Sequence, residues 1–313
     1  MHNLRMATPR HLLVDPDQPL CYHLVSRCVR RGWLCGFDPV SRRHFSHRKR
    51  WITERLDQLG AAFAVDIYAY AIMDNHFHLV VYYDPQAPHR WTDEEVVERW
   101  LNVCPPKRAD RSLDDELKTN LTQAFLCDPA RVEQLRSKLG SLSPFMRLLK
   151  QPIARRANLE DECCGHFFEQ RFYSGALLSE RAVLAAMAYV DLNPVRARIA
   201  RTIAESKHTS IHARLAPLDV ADVLTAYLAP IVSGVDGNSA VQIGLSNVRL
   251  SDYIDSLEVL TQARRHSWVP AKLHKWRDQV AALKKRQRVF GPIERIQSWI
   301  EQRGLQLREL PLP

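Results

Sequence analysis

Apolar positions along this chain alternate between strand-like and helix-like spacing. Leu20 to Cys28 (LCYHLVSRC) mixes apolar and β-prone residues over strand length and runs into a basic turn at Arg30, Arg31 and Gly32. Ser41 then reads as the N-cap of a helix. Its apolar residues Phe45, Ile52, Leu56 and Leu59 keep near-helical spacing, and Arg42, Arg43, Arg48, Lys49 and Arg50 make its exposed side cationic. Phe63, Val65, Ile67, Ala69 and Ala71 alternate with Asp66, Tyr68 and Tyr70, which predicts a half-buried strand. After a break at Met73-Asp74-Asn75, the run His76 to Tyr83 (HFHLVVYY) predicts the second strand of an antiparallel hairpin. Thr92 and Glu95 form a capping-box pattern that opens a helix through Val96, Trp100 and Leu101.

Residues 103–142 are polar, contain Pro105 and Pro106, and read as an insertion carrying one or two short helices, with no function assigned. Ser143-Pro144 is an N-cap and first-position pair for a segment bearing Arg147, Lys150, Arg155 and Arg156, which Pro152 should kink or split. Phe167 to Leu178 has strand composition. Ser179-Glu180 starts a helix to about Asn193, stopped by Pro194. The order β-α-β-β-α-β predicts an α+β fold over residues 1–205, a ferredoxin-like antiparallel sheet with helices on one face. Beyond 205 the pattern loosens, with a linker or long loop at 233–239 (SGVDGNS). The tail carries Lys272, Lys275, Arg277, Lys284, Lys285, Arg286 and Arg288 interleaved with Trp268 and Trp276. A last helix with Ile293, Ile296, Trp299 and Ile300 ends at Gly304. Residues 206–313 therefore read as a mainly helical accessory region expected to contact DNA. No internal repeat is present.

Composition narrows the partner more than the fold. Hydrophobic residues at 46% and charged residues at 25% exclude disordered and fibrous classes. Lysine and arginine number 44 against 35 acids, a net charge of +9, so the long-range field favours a polyanion; the same excess also suits a plain solvated face. The seven cysteines are odd in number and contain no C-x-x-C pair, which reads as reduced intracellular thiols rather than a disulfide framework or zinc ribbon. With no signal-peptide core and no stretch approaching ~20 apolar residues, a soluble, cytoplasmic protein with no membrane partner is expected. No Gly-rich phosphate-cradling motif is followed by Lys-Ser/Thr, so no nucleotide cofactor is expected.

Two pairs of residues carry the candidate chemistry. On a strand, His76 and His78 point to one face while Phe77 points into the core, so two neutral imidazoles can share a divalent metal. An H-x-H pair also occurs on half-exposed strands with no such role. On the later helix Tyr189 and Asn193 lie four residues apart on one face. An amide oxygen is a reasonable third ligand for a hard ion, and a metal-adjacent tyrosine can attack a phosphorus atom. The same pair also suits a buried tyrosine with an asparagine cap. Tyr173 is a competing nucleophile, but Leu177 at its i+4 position gives it no ligand companion. Arg27, Arg30, Arg31, Arg42, Arg43, Arg147, Arg155, Arg156, Arg196 and Arg198 are candidate phosphate contacts. Tyr68, Tyr70 and Tyr82 could stack on unpaired bases or simply pack.

Taken together, YHLVSRCVRR, YAIMDNHFHLVV and FFEQRFYSGALLSERAVLAAMAYVDLNPVRARI resemble the single-tyrosine HUH transposases, most closely the branch associated with repetitive extragenic palindromes. The resemblance covers residues 20–83 and 143–200. The segment between histidines and tyrosine is longer here than is typical of the family. It implies an HUH endonuclease-like fold with His76 and His78 as the metal pair, Asn193 as third ligand, Tyr189 as nucleophile, and Mg2+ or Mn2+ as the ion. The implied activity is cleavage and strand transfer on single-stranded, hairpin or palindromic DNA, with a 5′-phosphotyrosine and a departing 3′-hydroxyl. Cytoplasmic, nucleoid-associated DNA transposition and recombination would follow, and a homodimer is compatible with it. An HUH replication initiator or relaxase, or a domesticated hairpin-DNA-binding protein that no longer cuts, are the rival readings.

Overall fold

The structure is a computed structural model that describes residues 8–29, 32, 35–39, 41–108, 112–169, 171–216, 248–262, 271–285 and 287–305. Five strands form one sheet: β1 (Leu20–Arg27), β2 (Val65–Ile72), β3 (His76–Tyr83), β4 (Tyr173–Leu177) and β5 (Val289–Phe290), in the order β2-β3-β1-β4-β5. The pairs β2–β3, β1–β3 and β1–β4 are antiparallel, and β5 joins β4 in parallel.

Helices cover both faces of this sheet, which corrects the expectation of helices on one face. On the first face lie α2 (His47–Ala62), α3 (Asp93–Val103), α5 (Pro129–Leu139) and α6 (Leu142–Glu160). Their Ile52, Leu56, Val97, Leu135, Phe145 and Leu149 pack with Leu24, Ile67, Leu79 and Val81 of the strands. On the second face lie α7 (Glu180–Asp191), α10 (Leu250–Gln262) and α11 (Ala271–Ala282), whose Val183, Ala186, Val190, Leu257 and Val280 pack with Cys21, Ala69 and Val80. The physical reason is in the strands. β2 is buried at every position but Tyr70, so it is not the half-buried strand its alternation suggests, and both faces must be shielded from water.

Several boundaries differ from the sequence reading. α2 begins after Ser46 rather than Ser41, and its supposed cationic face is partly interior. Arg48 is fully buried and pairs with Glu160 at 2.9 Å and Asp161 at 2.5 Å, while Lys49 pairs with Asp74 at 2.5 Å. The capping box of Thr92 and Glu95 is present as expected. In the 103–142 segment, α4 (Asp115–Leu126) and α5 are the two expected helices, and Val132, Leu135 and Leu139 join the first core. α6 starts after Ser141 and runs unbroken through Pro152, and the strand expected over Phe167–Leu178 is confined to Tyr173–Leu177.

Beyond residue 206, α9 (Ser210–Leu215), α10, α11, β5 and a last helix α12 (Ile293–Glu301) contribute to both cores. Tyr253, Leu257 and Val280 enter one and Val289, Trp299 and Ile300 the other. The linker expected at 233–239 and Trp268 lie outside the described residues. Among the described residues no helix is long and apolar enough to cross a membrane.

Candidate functional site

The antiparallel register of β1, β3 and β4 collects one row of side chains on the second sheet face. Arg27 stands opposite His76, Val25 opposite His78 and Tyr173, and His23 opposite Val80 and Gly175. The His76 and His78 rings are 4.8 Å apart at 78°. His23, which the sequence reading passed over, stacks on His78 with centroids 5.1 Å apart, and His23 Nε2 lies 2.9 Å from His78 Nδ1. His23 and His78 are 1% and 3% exposed, so both are shielded from bulk solvent, while His76 is half-buried. The only sequence signal for His23 is its in-phase placement with Cys21 and Val25 on β1. Its partner follows only once β1 is set against β3.

α7 lays Tyr189 over this row. The tyrosine ring sits 5.5 Å from the His78 ring and 5.7 Å from that of His23, edge-on to both, and the guanidinium of Arg196 lies 4.7 Å above the phenol. The C-terminal end of α7 is fixed by Asp191, which is fully buried. Its Oδ1 accepts from the Ile211 N–H at 2.9 Å and from the Ser210 hydroxyl, and its Oδ2 accepts from the Tyr253 hydroxyl at 2.7 Å. Burial pushes this carboxyl up, while Arg214 and the three hydrogen bonds pull it back down.

Asn193 does not share a helix with Tyr189. α7 ends at Asp191, and Asn193-Pro194 open a separate turn, α8 (Asn193–Arg196). Proline suits the first turn of a helix, where its missing N–H costs nothing, so Pro194 starts a helix instead of stopping one. Among the described residues the Asn193 side chain makes no hydrogen bond to either histidine, and no three His, Cys, Asp or Glu side chains group as a metal site.

The two tyrosines differ in what holds their hydroxyls. Tyr173 donates to the Gln287 carbonyl and lies under Arg288, and its ring is 5.9 Å from His23. Gly175 makes room for that hydroxyl, since a β-carbon there would meet it at 2.6 Å. Tyr173 is thus tied to the chain that leads into β5.

The candidate arginines do not form one patch. Arg27 and Arg196 reach the histidine face. Arg147, Arg155 and Arg156 ride on α6 across the sheet, with Arg156 3.9 Å over Trp51. Arg42, Arg43 and Arg198 are exposed, Arg43 lying 5.1 Å over Phe45, and Arg30 and Arg31 fall outside the described residues. Of the two readings of the strand tyrosines, the packing one holds: Tyr68 and Tyr82 are core residues and Tyr70 packs at the margin of the core. Trp276 also packs against the second core, and Arg277 pairs with Asp278 at 3.1 Å.

No family model matches the sequence and no curated protein matches it. A solved structure described as "Structure of the REP associates tyrosine transposase bound to a REP hairpin" is similar at 11% identity. The likeness covers 72% of this chain and 92% of that one with a TM-score of 0.36, which adds nothing to the chemistry of the site.

Proposed function

We propose that this chain is a metal-dependent single-stranded DNA endonuclease and strand transferase of the single-tyrosine transposase kind, acting on hairpin or palindromic DNA. The observation that carries the reading is the seating of Tyr189 against the His78 and His23 rings, with His76 alongside on the same sheet face. The order β2-β3-β1-β4 with antiparallel neighbours supports a ferredoxin-like sheet beneath them.

The residues present fit a divalent ion such as Mg2+ or Mn2+. His76 Nδ1 is 2.6 Å from the Asn75 side-chain oxygen, so Nδ1 donates and the ring's lone pair lies on Nε2. The bond from His78 Nδ1 to His23 gives His78 the same tautomer when His23 accepts, and such partners to the far ring nitrogen orient metal-binding imidazoles. His76, His78 and the Asn193 amide oxygen would hold the ion. Bound there, the ion would polarise the scissile phosphate. The Tyr189 oxygen attacks phosphorus and gives up its proton, the phosphorus–O3′ bond breaks, and the departing 3′-oxygen takes a proton. The 5′-phosphate stays on Tyr189. Attack by a second 3′-hydroxyl reverses the step and joins strands without ATP. Arg196 and Arg27 neutralise phosphate charge beside the tyrosine.

One observation favours a second reading, a hairpin-DNA-binding protein that does not cut: His78 is nearly fully buried and already hydrogen-bonded to His23, as a structural histidine would be. Incubating the protein with labelled single strands from the flanks of its own gene decides between them. A covalent protein–DNA adduct that chelator abolishes supports the transferase. Tight binding with no adduct under Mg2+ and under Mn2+ supports the second reading.

A further inference from the structure

A cavity of about 710 Å3 opens on the other side of the sheet, between α6 and the segment 165–172 that leads into β4. That volume falls within the ~300–1,000 Å3 range of small-ligand pockets. Four cations stand around it, Arg10, Arg147, Lys150 and Arg171, and among the described residues none of them forms an ion pair. Lys150 donates to the backbone carbonyl of Glu169 at 2.7 Å, and Arg10 to the Phe172 carbonyl and Ser174 hydroxyl, each at 2.9 Å. These hydrogen bonds are all to neutral groups, and the cavity lining carries these four cations against one carboxylate, Glu169, so its charge is net positive. Burial and the cations Arg288 and Arg171 hold Arg10 down at about 10, and burial, opposed by the Glu169 carboxylate and aided by Arg10, holds Lys150 down at about 8. The inner wall is apolar, built from Met146, Phe167, Phe168 and Phe172.

The occupant must bring both negative charge and a flat apolar body. A bare phosphate would satisfy the cations alone, whereas an unpaired nucleotide supplies a phosphate and an apolar base together to a cavity whose back wall is core and where Arg10 lies 3.8 Å over the Phe172 ring. The cavity also borders the candidate site through the backbone. Cys28 bridges Phe168, the Glu169 N–H donates to the Arg27 carbonyl at 2.8 Å, and Arg27 stands opposite His76. A strand held at the histidine face needs only to pass over this end of the sheet to enter the cavity.

We propose that the cavity between α6 and residues 165–172 is a second nucleic-acid subsite that holds an unpaired nucleotide flanking the segment at the histidine face. It rests on the single-strand reading for the identity of the strand, and its own signal is binding without cleavage.

The test is fluorescence anisotropy of the full chain with a short labelled single-stranded oligonucleotide in chelator, across a salt series. In Arg147→Gln/Lys150→Gln, two phosphate contacts are removed, so the slope of log K against log salt should flatten by about 1.4, at ~0.7 per contact. Ala154→Trp, which fills the cavity without altering charge, should weaken binding roughly tenfold or more while leaving the slope near wild type, as expected for loss of one stacked base. Circular dichroism establishes that both variants are folded. If both folded variants bind the strand like wild type, the subsite is refuted. Loss of binding only in the charge variant, with Ala154→Trp unaffected, also refutes it, since the cations then act as a surface field with no cavity occupant. The adduct assay stands apart: pocket variants that bind normally and still form the adduct sink the subsite alone. Absence of any adduct beside cavity-dependent binding leaves the subsite standing and sinks the transferase.

Discussion

Tyr253→Phe tests whether the C-terminal region positions Tyr189, the proposed nucleophile. The substitution removes one oxygen whose proton is donated to Asp191 Oδ2 at 2.7 Å, in surroundings where Tyr253 is 2% and Asp191 0% exposed. A hydrogen bond to a charged acceptor contributes about 1.5–3 kcal/mol, and Asp191 keeps its other two donors, Ser210 and Ile211, on Oδ1. We therefore expect a loss of about 2 kcal/mol, or a Tm lowered by about 4 °C for a chain of this size. Because Tyr189 lies two residues before Asp191, the rate of adduct formation should fall more than the small increase in unfolded fraction explains. Asp191→Asn separates charge from shape. Its amide can still face the Tyr253 hydroxyl, so a small stability loss there would mean that burial already keeps the native carboxyl protonated. Urea unfolding and single-turnover adduct formation give the two readouts. An unchanged Tm in Tyr253→Phe would refute the energetic reasoning, and a lowered Tm with an unchanged adduct rate would refute the link from α10 to Tyr189.

Other outcomes follow from the same geometry. His76→Ala, His78→Ala or chelation should abolish cleavage while hairpin binding stays within a few-fold in an electrophoretic shift assay; cleavage that survives chelation rules out the metal role. Tyr189→Phe should eliminate the adduct and Tyr173→Phe should retain it, and recovery of Tyr173 in the DNA-linked peptide by mass spectrometry would reverse the assignment. Truncation after residue 205 should unfold the protein instead of merely weakening DNA binding, because it strips Leu257 and Val280 from one core and Val289 and Trp299 from the other; a folded, cooperative truncation product would contradict this. Raising pH through about 8 should weaken single-strand binding as Lys150 loses its proton, its charge being fully present only below that value. The other charged or titratable groups lining the cavity are Arg10, Arg147, Arg171, Glu169 and His166, and Lys150→Gln, which leaves all of them in place, should remove the pH step.

What the sequence revealed was local. The bounds of β3 were readable because HFHLVVYY is an uninterrupted β-prone run after a polar break, and the capping box at Thr92 and Glu95 is a contact between residues three apart. The start of α2 was misplaced because Ser41 and Ser46 are equally good caps on paper, and only the packing of Trp51 and Ile52 chooses between them. Arg48 looked like surface because its partners, Glu160 and Asp161, are more than a hundred residues away. His23 and the cationic cavity escaped notice for the same reason: each is made by elements that meet only in the folded sheet. The proline at 194 failed differently, since proline near a helix end fits a stop and a start equally well, and the sequence held no feature to separate them.

The parallel seam between β4 and β5 has a consequence for the timing of activity. Chains emerge from the ribosome in sequence order, and domains begin to fold as they emerge. Residues 173–191, with both tyrosines, therefore leave the ribosome while the outer edge of β4 is still bare and Asp191 has none of its partners from 210, 211 and 253. Only when Val289 and Phe290 arrive does the sheet close and Gln287 take up the Tyr173 hydroxyl. A nascent chain would thus carry its whole histidine and tyrosine face long before that face is rigid, so the chemistry proposed for it would have to wait for the C-terminal segments.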